Sequence, residues 1–170
     1  MNYGQWLERV PEVMRSDSLW KMAAYRYASF LGDIAWQDVS KLAQDRRTLG
    51  LSDQLYRSVG SISANLAEGY SRGTGRDRAR FYEYSLGSAR ESRDWYFKGR
   101  HVLGPEVGEH RMQLASEIIR LLLTMVPDQR GTSLKEDEHP YHVTGSPTND
   151  ENPSSTLLCL LNAVPLSEPS

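Results

Sequence analysis

From Leu51 onward, apolar residues return at the spacing of a helix. Leu51, Leu55, Val59, Ile62 and Leu66 are separated by four, four, three and four positions, which keeps them on a narrow arc of a 3.6-residue turn. Ser52 is the expected N-cap of this second helix and Gly69 its expected stop. Thr74, with Asp77 three residues on, resembles a capping box with a shorter acid and opens a third helix. Phe81, Tyr84, Ser85, Ser88, Ser92, Trp95, Gly99 and Val102 are its expected inner face, small-sided enough for a neighbouring backbone to come close. Gly104-Pro105 ends it and supplies Pro at the first position of a fourth helix, whose Val107, Leu114, Ile118, Leu121, Leu122 and Met125 again follow the helical period. Glu106 and Glu109 suit the positive end of that helix. A first helix runs from about Asp17 to Arg46, with Leu19, Ala23, Phe30, Ile34 and Leu42 directed inward and Gly32 weakening its middle.

Helices of ~22 to 30 residues are ~33 to 45 Å long, and short connections force consecutive ones to run antiparallel. The pattern therefore predicts an all-α protein: an up-down-up-down antiparallel four-helix bundle over 17–126, preceded by an N-terminal extension, 1–16. Residues 127–170 differ in kind. They hold six of the eight prolines, no Trp or Phe, and two basic against seven acidic residues, whereas 1–126 carries 18 basic against 15 acidic. Such a composition buries too little apolar surface to offset its ordering entropy, so a flexible acidic Pro-rich tail is expected. Its one apolar patch, Leu157 to Val164, is either a docking peptide or, as the favoured reading, a stretch that packs back on the body or is incidentally β-prone.

Composition narrows the function. At 170 residues and 39% hydrophobic, the chain has the make-up of one globular domain with a tail, and no apolar run reaches the ~18 residues a membrane span needs. The start shows no apolar stretch after a basic region, and a lone cysteine, Cys159, forms neither an internal disulfide nor a multi-thiolate zinc site, so a cytoplasmic location is expected. A di-iron bundle needs inward Glu-x-x-His on two helices, but the sequence offers only Glu136 to His139, in the tail. Gly73-Thr74-Gly75 lacks the Lys-Ser/Thr of a nucleotide loop, and no Ser/His/Asp or Cys/His arrangement stands out. No catalytic residue, metal or cofactor is expected.

Two stretches carry a resemblance. Ser61 to Gly73, SISANLAEGYSRG, and Arg80 to Glu91, RFYEYSLGSARE, are similar to the signature pair of a bacterial four-helix-bundle family. That family includes proteins encoded within intervening sequences of large-subunit rRNA genes and the accessory variability determinants of diversity-generating retroelements. The matching residues are Ser61, Ile62, Asn65, Ala67, Glu68 and Gly69, then Phe81, Gly87, Ser88, Ala89 and Glu91. The resemblance covers about residues 17–126. It implies a homopentameric ring of bundles without known catalysis and, in the retroelement branch, binding to nucleic acid and to a reverse transcriptase. Asn65, Glu68, Gly69, Gly87 and Ser88 read as its structural motif, with Asn65 capping or crosslinking helices and Glu68 paired with Arg72 or Arg57.

Charge then selects a surface. Residues 71–100 hold eight basic against four acidic residues in a chain of net charge −2. Arg76, Arg80, Arg90 and Lys98 share a side with Glu83 and Asp94, as an ion-paired solvated face does. Arg78, Tyr82, Arg93, Tyr96 and Arg100 form a separate strip without carboxylates. Guanidinium groups neutralise phosphates and tyrosines stack on unpaired bases, so this strip is the candidate nucleic-acid site. The same residues suit a protein interface or a seam between subunits. The leading expectation is a non-enzymatic oligomeric adaptor for RNA or single-stranded DNA and a protein partner such as a reverse transcriptase. A protein–protein assembly module without nucleic acid is the alternative.

Overall fold

The computed structural model describes residues 1–130 and 154–166. Those residues form helices and connecting turns, with no strand among them. Two short helices lead, α1 (Tyr3–Arg9) and α2 (Glu12–Arg15), then a single 3-10 turn at Ser18–Lys21. Four long helices follow: α3 (Ala23–Leu42), α4 (Leu49–Tyr70), α5 (Gly75–Leu103) and α6 (Pro105–Arg130). A last helix, α7, spans Ser155–Asn162.

Local chemistry sets the boundaries. Asp17 accepts from Leu19 N at 2.8 Å and caps the 3-10 turn, so the first long helix begins at Ala23 rather than near Asp17. Leu19, Phe30, Ile34 and Leu42 are buried as expected, joined by Ala24, Tyr27, Leu31, Ala35 and Asp38. Ser52 is not a cap. Helix α4 starts a turn earlier, at Leu49, and Ser52 Oγ donates to Leu49 O inside it. Thr74 does cap α5: its Oγ1 accepts from Asp77 N at 3.1 Å and donates to Asp77 Oδ2 at 2.7 Å. Gly104, at φ 95°, closes α5 in a backbone conformation that favours glycine, and Pro105 begins α6 at once.

Each long helix packs against the next in sequence, and α3 also packs against α6, so the four surround one core. Leu55, Val59, Ile62 and Leu66 of α4 meet Leu114, Ile118 and Leu122 of α6 and Phe30 and Leu31 of α3 in that core. Serines let α4 and α5 approach closely, with Ser85 Oγ donating to Ile62 O at 2.9 Å and Ser92 Oγ bonded to Ser58 Oγ at 3.0 Å. Gly69, expected as a stop, has another reason to be glycine: a Cβ there would stand 2.8 Å from the Tyr82 ring and 2.9 Å from Phe81 Cβ.

The inner face of α5 differs from expectation in phase. Ser85, Ser92 and Gly99 are buried, but their buried companions are Ala79, Tyr82, Leu86, Ala89, Tyr96 and Leu103, rather than Phe81, Tyr84, Ser88, Trp95 and Val102. The two arcs share the small-residue line and extend to opposite sides of it. Aromatic bulk occurs on both sides, so the ring residues alone do not fix the phase.

The termini differ too. Tyr3 and Trp6 of α1 pack against Phe30 of α3 with ring centroids 5.2 and 5.3 Å apart, so the expected N-terminal extension contributes to the core. Helix α6 continues through Pro127 to Arg130, past the expected start of the tail at 127. The patch around Leu157 folds as α7 and packs on α6 and α1, burying Leu157, Leu160 and Leu161. The rest of the expected flexible tail, 131–153 and 167–170, lies outside the described residues.

Candidate nucleic-acid interface

The five residues of the expected strip have separate surroundings. Tyr96 is fully buried, and its hydroxyl donates to Asp38 Oδ2 at 3.2 Å. Burial, then the neighbouring carboxylate, holds its phenol well above the usual tyrosine range. Tyr82 is also buried, and burial raises its phenol too. The expectation that these two stack on bases is corrected: Tyr96 is 0% exposed and Tyr82 3%, so neither offers a free ring face to a base. Arg93 is half-buried and donates to Ser116 Oγ of α6 at 3.3 Å. Arg100 is half-buried at the α5–α6 contact, its guanidinium 3.8 Å from the Phe97 ring and donating to Phe97 O.

Arg78 stands apart from these. It lines a cleft of about 750 Å³ together with Lys21, Arg26, Tyr70, Tyr82 and Asp128. Its Nε is buried and has no hydrogen-bond partner among the described residues. Three cations against one carboxylate make the cleft attractive to an anion.

Elsewhere on the surface, cations stand beside accessible rings. Arg80 Nε donates to Tyr84 Oη at 2.8 Å with its guanidinium 5.6 Å from that ring, and Arg72 lies 4.5 Å from the Phe81 ring. Tyr84 and Tyr70 are 46% and 41% exposed. The tyrosine contact raises the Arg80 pKa, keeping the group charged. On the face expected to be ion-paired, Lys98 pairs with Asp94 and Glu83 with Arg130 at 2.8 Å, while Arg80 donates to Tyr84. Further along, Lys98 lies 4.3 Å from the Trp95 ring.

The motif residues resolve individually. Glu68 pairs with Arg72, as expected, while Arg57 pairs with Asp53 at 3.1 Å. Asn65 donates to Ser61 O of its own helix at 2.8 Å, so this bond does not crosslink helices. Ser88 Oγ donates to Tyr84 O at 3.0 Å, and Gly87 faces outward with open space where a Cβ would sit.

One buried cluster escaped the sequence reading. Arg111 and Asp38 are both wholly buried, with Arg111 Nε donating to Asp38 Oδ2 at 2.8 Å and Nη2 to Oδ1 at 3.3 Å. Arg111 Nη1 donates to His110 Nδ1 at 2.8 Å, which leaves the His110 proton on Nε2, 2.7 Å from Leu160 O of α7. Arg111 Nη2 also reaches Pro165 O at 3.0 Å. Burial first, and the Arg111 charge after the opposing pull of the Leu160 carbonyl, lower the His110 pKa. The signal was in the sequence: Asp38 interrupts an apolar face of α3, and such an acid calls for a buried base.

Among the described residues there is no group of three or more His, Cys, Asp or Glu able to hold a metal ion, and no helix long and apolar enough to cross a membrane. A family model described as 23S rRNA-intervening sequence protein matches residues 21–124. The structure is similar to the crystal structure, at 1.70 Å, of a protein of unknown function from the S23 ribosomal protein family of Bacteroides thetaiotaomicron. The TM-score is 0.58 at 20% identity, over 61% of this chain and 98% of that one. No curated protein matches.

Proposed function

Because the chain belongs to the 23S rRNA-intervening sequence protein family, we propose that it is a non-enzymatic adaptor that retains RNA, or single-stranded DNA, at the start of α5. The observation that carries this reading is the cleft in which Arg78 is joined by Lys21 and Arg26, with the Arg78 Nε unpartnered among the described residues. Phosphates are taken by the cations and a splayed base by Tyr70, which lines the cleft and is 41% exposed. Arg78 thus keeps the role that the sequence suggested, and the stacking passes from Tyr82 and Tyr96 to an exposed ring.

Few guanidiniums per subunit give weak retention alone. Up-down-up-down bundles repeated in a homopentameric ring would raise it through avidity, and the resemblance of Ser61–Gly73 and Arg80–Glu91 supports that assembly. The same resemblance supports a reverse transcriptase as protein partner. The test is anisotropy of a labelled single-stranded RNA across a salt series. Log affinity should fall linearly with log salt, and Arg78→Ala with Lys21→Ala should lower that slope by roughly 2 per subunit engaged, with subunit number by light scattering unchanged. Absence of retention at low salt, or a double variant that binds like the parent, would overturn the RNA reading.

A further inference from the structure

The C-terminal helix is held in a way that other proteins can imitate. Leu157, Leu160 and Leu161, at 3, 6 and 5% exposure, form one face of α7 spaced i, i+3, i+4, while Leu158 and Cys159 face solvent. The polar part of the grip is made to main-chain carbonyls. His110 donates to Leu160 O and Arg111 to Pro165 O. Carbonyls in the last turn of a helix have no partner within it, so the His110 donor completes Leu160 O, while Arg111 holds the chain just past the helix end, with its charge toward the negative pole. Every residue type carries a carbonyl. The sequence requirement therefore reduces to three leucines in the order Leu-x-x-Leu-Leu.

Two further observations mark α7 as an occupant rather than a structural member. An eight-residue helix is too short to be stable in water by itself and so forms as it docks. The family match stops at residue 124, so α7 lies outside the stretch that the family model describes. His110 and Arg111 lie inside the match, whereas α1 and α7, which touch each other, lie outside it.

We propose that the groove between α1 and α6, floored by His110 and Arg111, is an exchangeable docking site for a Leu-x-x-Leu-Leu helix presented by another protein. The chain's own residues 155–162 are its resident occupant. This inference is independent of RNA binding. Tethering keeps the resident at an effective concentration of about 1 mM, so an incoming helix binds the intact chain weakly and a vacated groove well.

The probe is a fluorescein-labelled peptide of residues 154–166, titrated against the full-length chain and against full-length Leu157→Asp/Leu161→Asp, in which the resident is loosened. Anisotropy should show binding to the variant at least about 10-fold tighter than to the parent, and none by a peptide carrying the same two aspartates. A folded variant that leaves the peptide unbound at about 1 mM overturns the proposal. So does a variant that fails to fold, since α7 would then be integral. Hydrogen exchange of the unaltered chain is the second measurement. The α7 amides should exchange at least about 100-fold faster than those of Leu114 to Leu122, and equal protection overturns the proposal.

Discussion

Replacing Asp38 by alanine removes the only carboxylate in contact with a wholly buried arginine among the described residues. Three hydrogen bonds go with it: Arg111 Nε at 2.8 Å, Arg111 Nη2 at 3.3 Å and Tyr96 Oη at 3.2 Å. Hydrogen bonds to a charged group contribute about 1.5–3 kcal/mol each, but they share one site and do not add. The governing quantity is the cost of an uncompensated buried charge, about 3–5 kcal/mol. For a domain of this size each kcal/mol moves Tm by about 2–4 °C, so Asp38→Ala should melt about 6–20 °C below the parent. Calorimetry reads this directly. The paired change Asp38→Leu with Arg111→Met removes both charges and should regain most of the loss, to within about 1–2 kcal/mol of the parent. It should also speed hydrogen exchange in α7, because the bond to Pro165 O goes with Arg111. An Asp38→Ala melt within about 3 °C of the parent would falsify the closed buried pair, since so small a shift is worth only about 1 kcal/mol.

Other expectations follow from the same geometry. Gly69→Ala sets a methyl group 2.8 Å from the Tyr82 ring and should cost about 1–3 kcal/mol in denaturant unfolding, whereas Gly87→Ala, with open space around it, should be neutral or slightly stabilising. Tyr96→Phe deletes the hydroxyl on Asp38 and should cost about 1.5–3 kcal/mol, with the helical circular dichroism unchanged at 25 °C. His110 has a folded pKa below its unfolded value of 6.5, so the unfolded chain binds the extra proton first. Stability from this group is complete above pH 6.5 and falls as the pH drops through that value, an effect that α7 exchange rates at pH 7.5 and 5.5 should show and His110→Gln should remove.

Much of the helical plan was legible in the sequence because caps and breakers act locally. Thr74, Gly104 and Pro105 act through their own backbone neighbours, and the leucine series of α4 has only one arc available. The phase of α5 was harder, because Phe81, Tyr84 and Trp95 stand on one side of the small residues and Tyr82 and Tyr96 on the other. What decides is across the molecule. Asp38, 58 residues earlier, takes the Tyr96 hydroxyl, and Gly69 leaves the space that Tyr82 fills. The candidate site was legible to the same degree: Arg78 remains in a cationic cleft, while the other two arginines lie half-buried against α6 or their own helix. That the patch at Leu157 packs back was among the expectations, but its helical form and its seat were not legible, because three leucines among prolines and acids reveal their partner only when His110 and Arg111 are in place.

The touching of α1 and α7 has a consequence for synthesis. Helix α1 leaves the ribosome first, yet its final neighbour follows roughly 145 residues later, about 7–30 s at ordinary elongation rates. Throughout that interval the aromatic side of α1 can settle against α3, but the side that meets α7 stays bare. Any protein that presents a short leucine helix meets the nascent chain before residues 155–162 have been made.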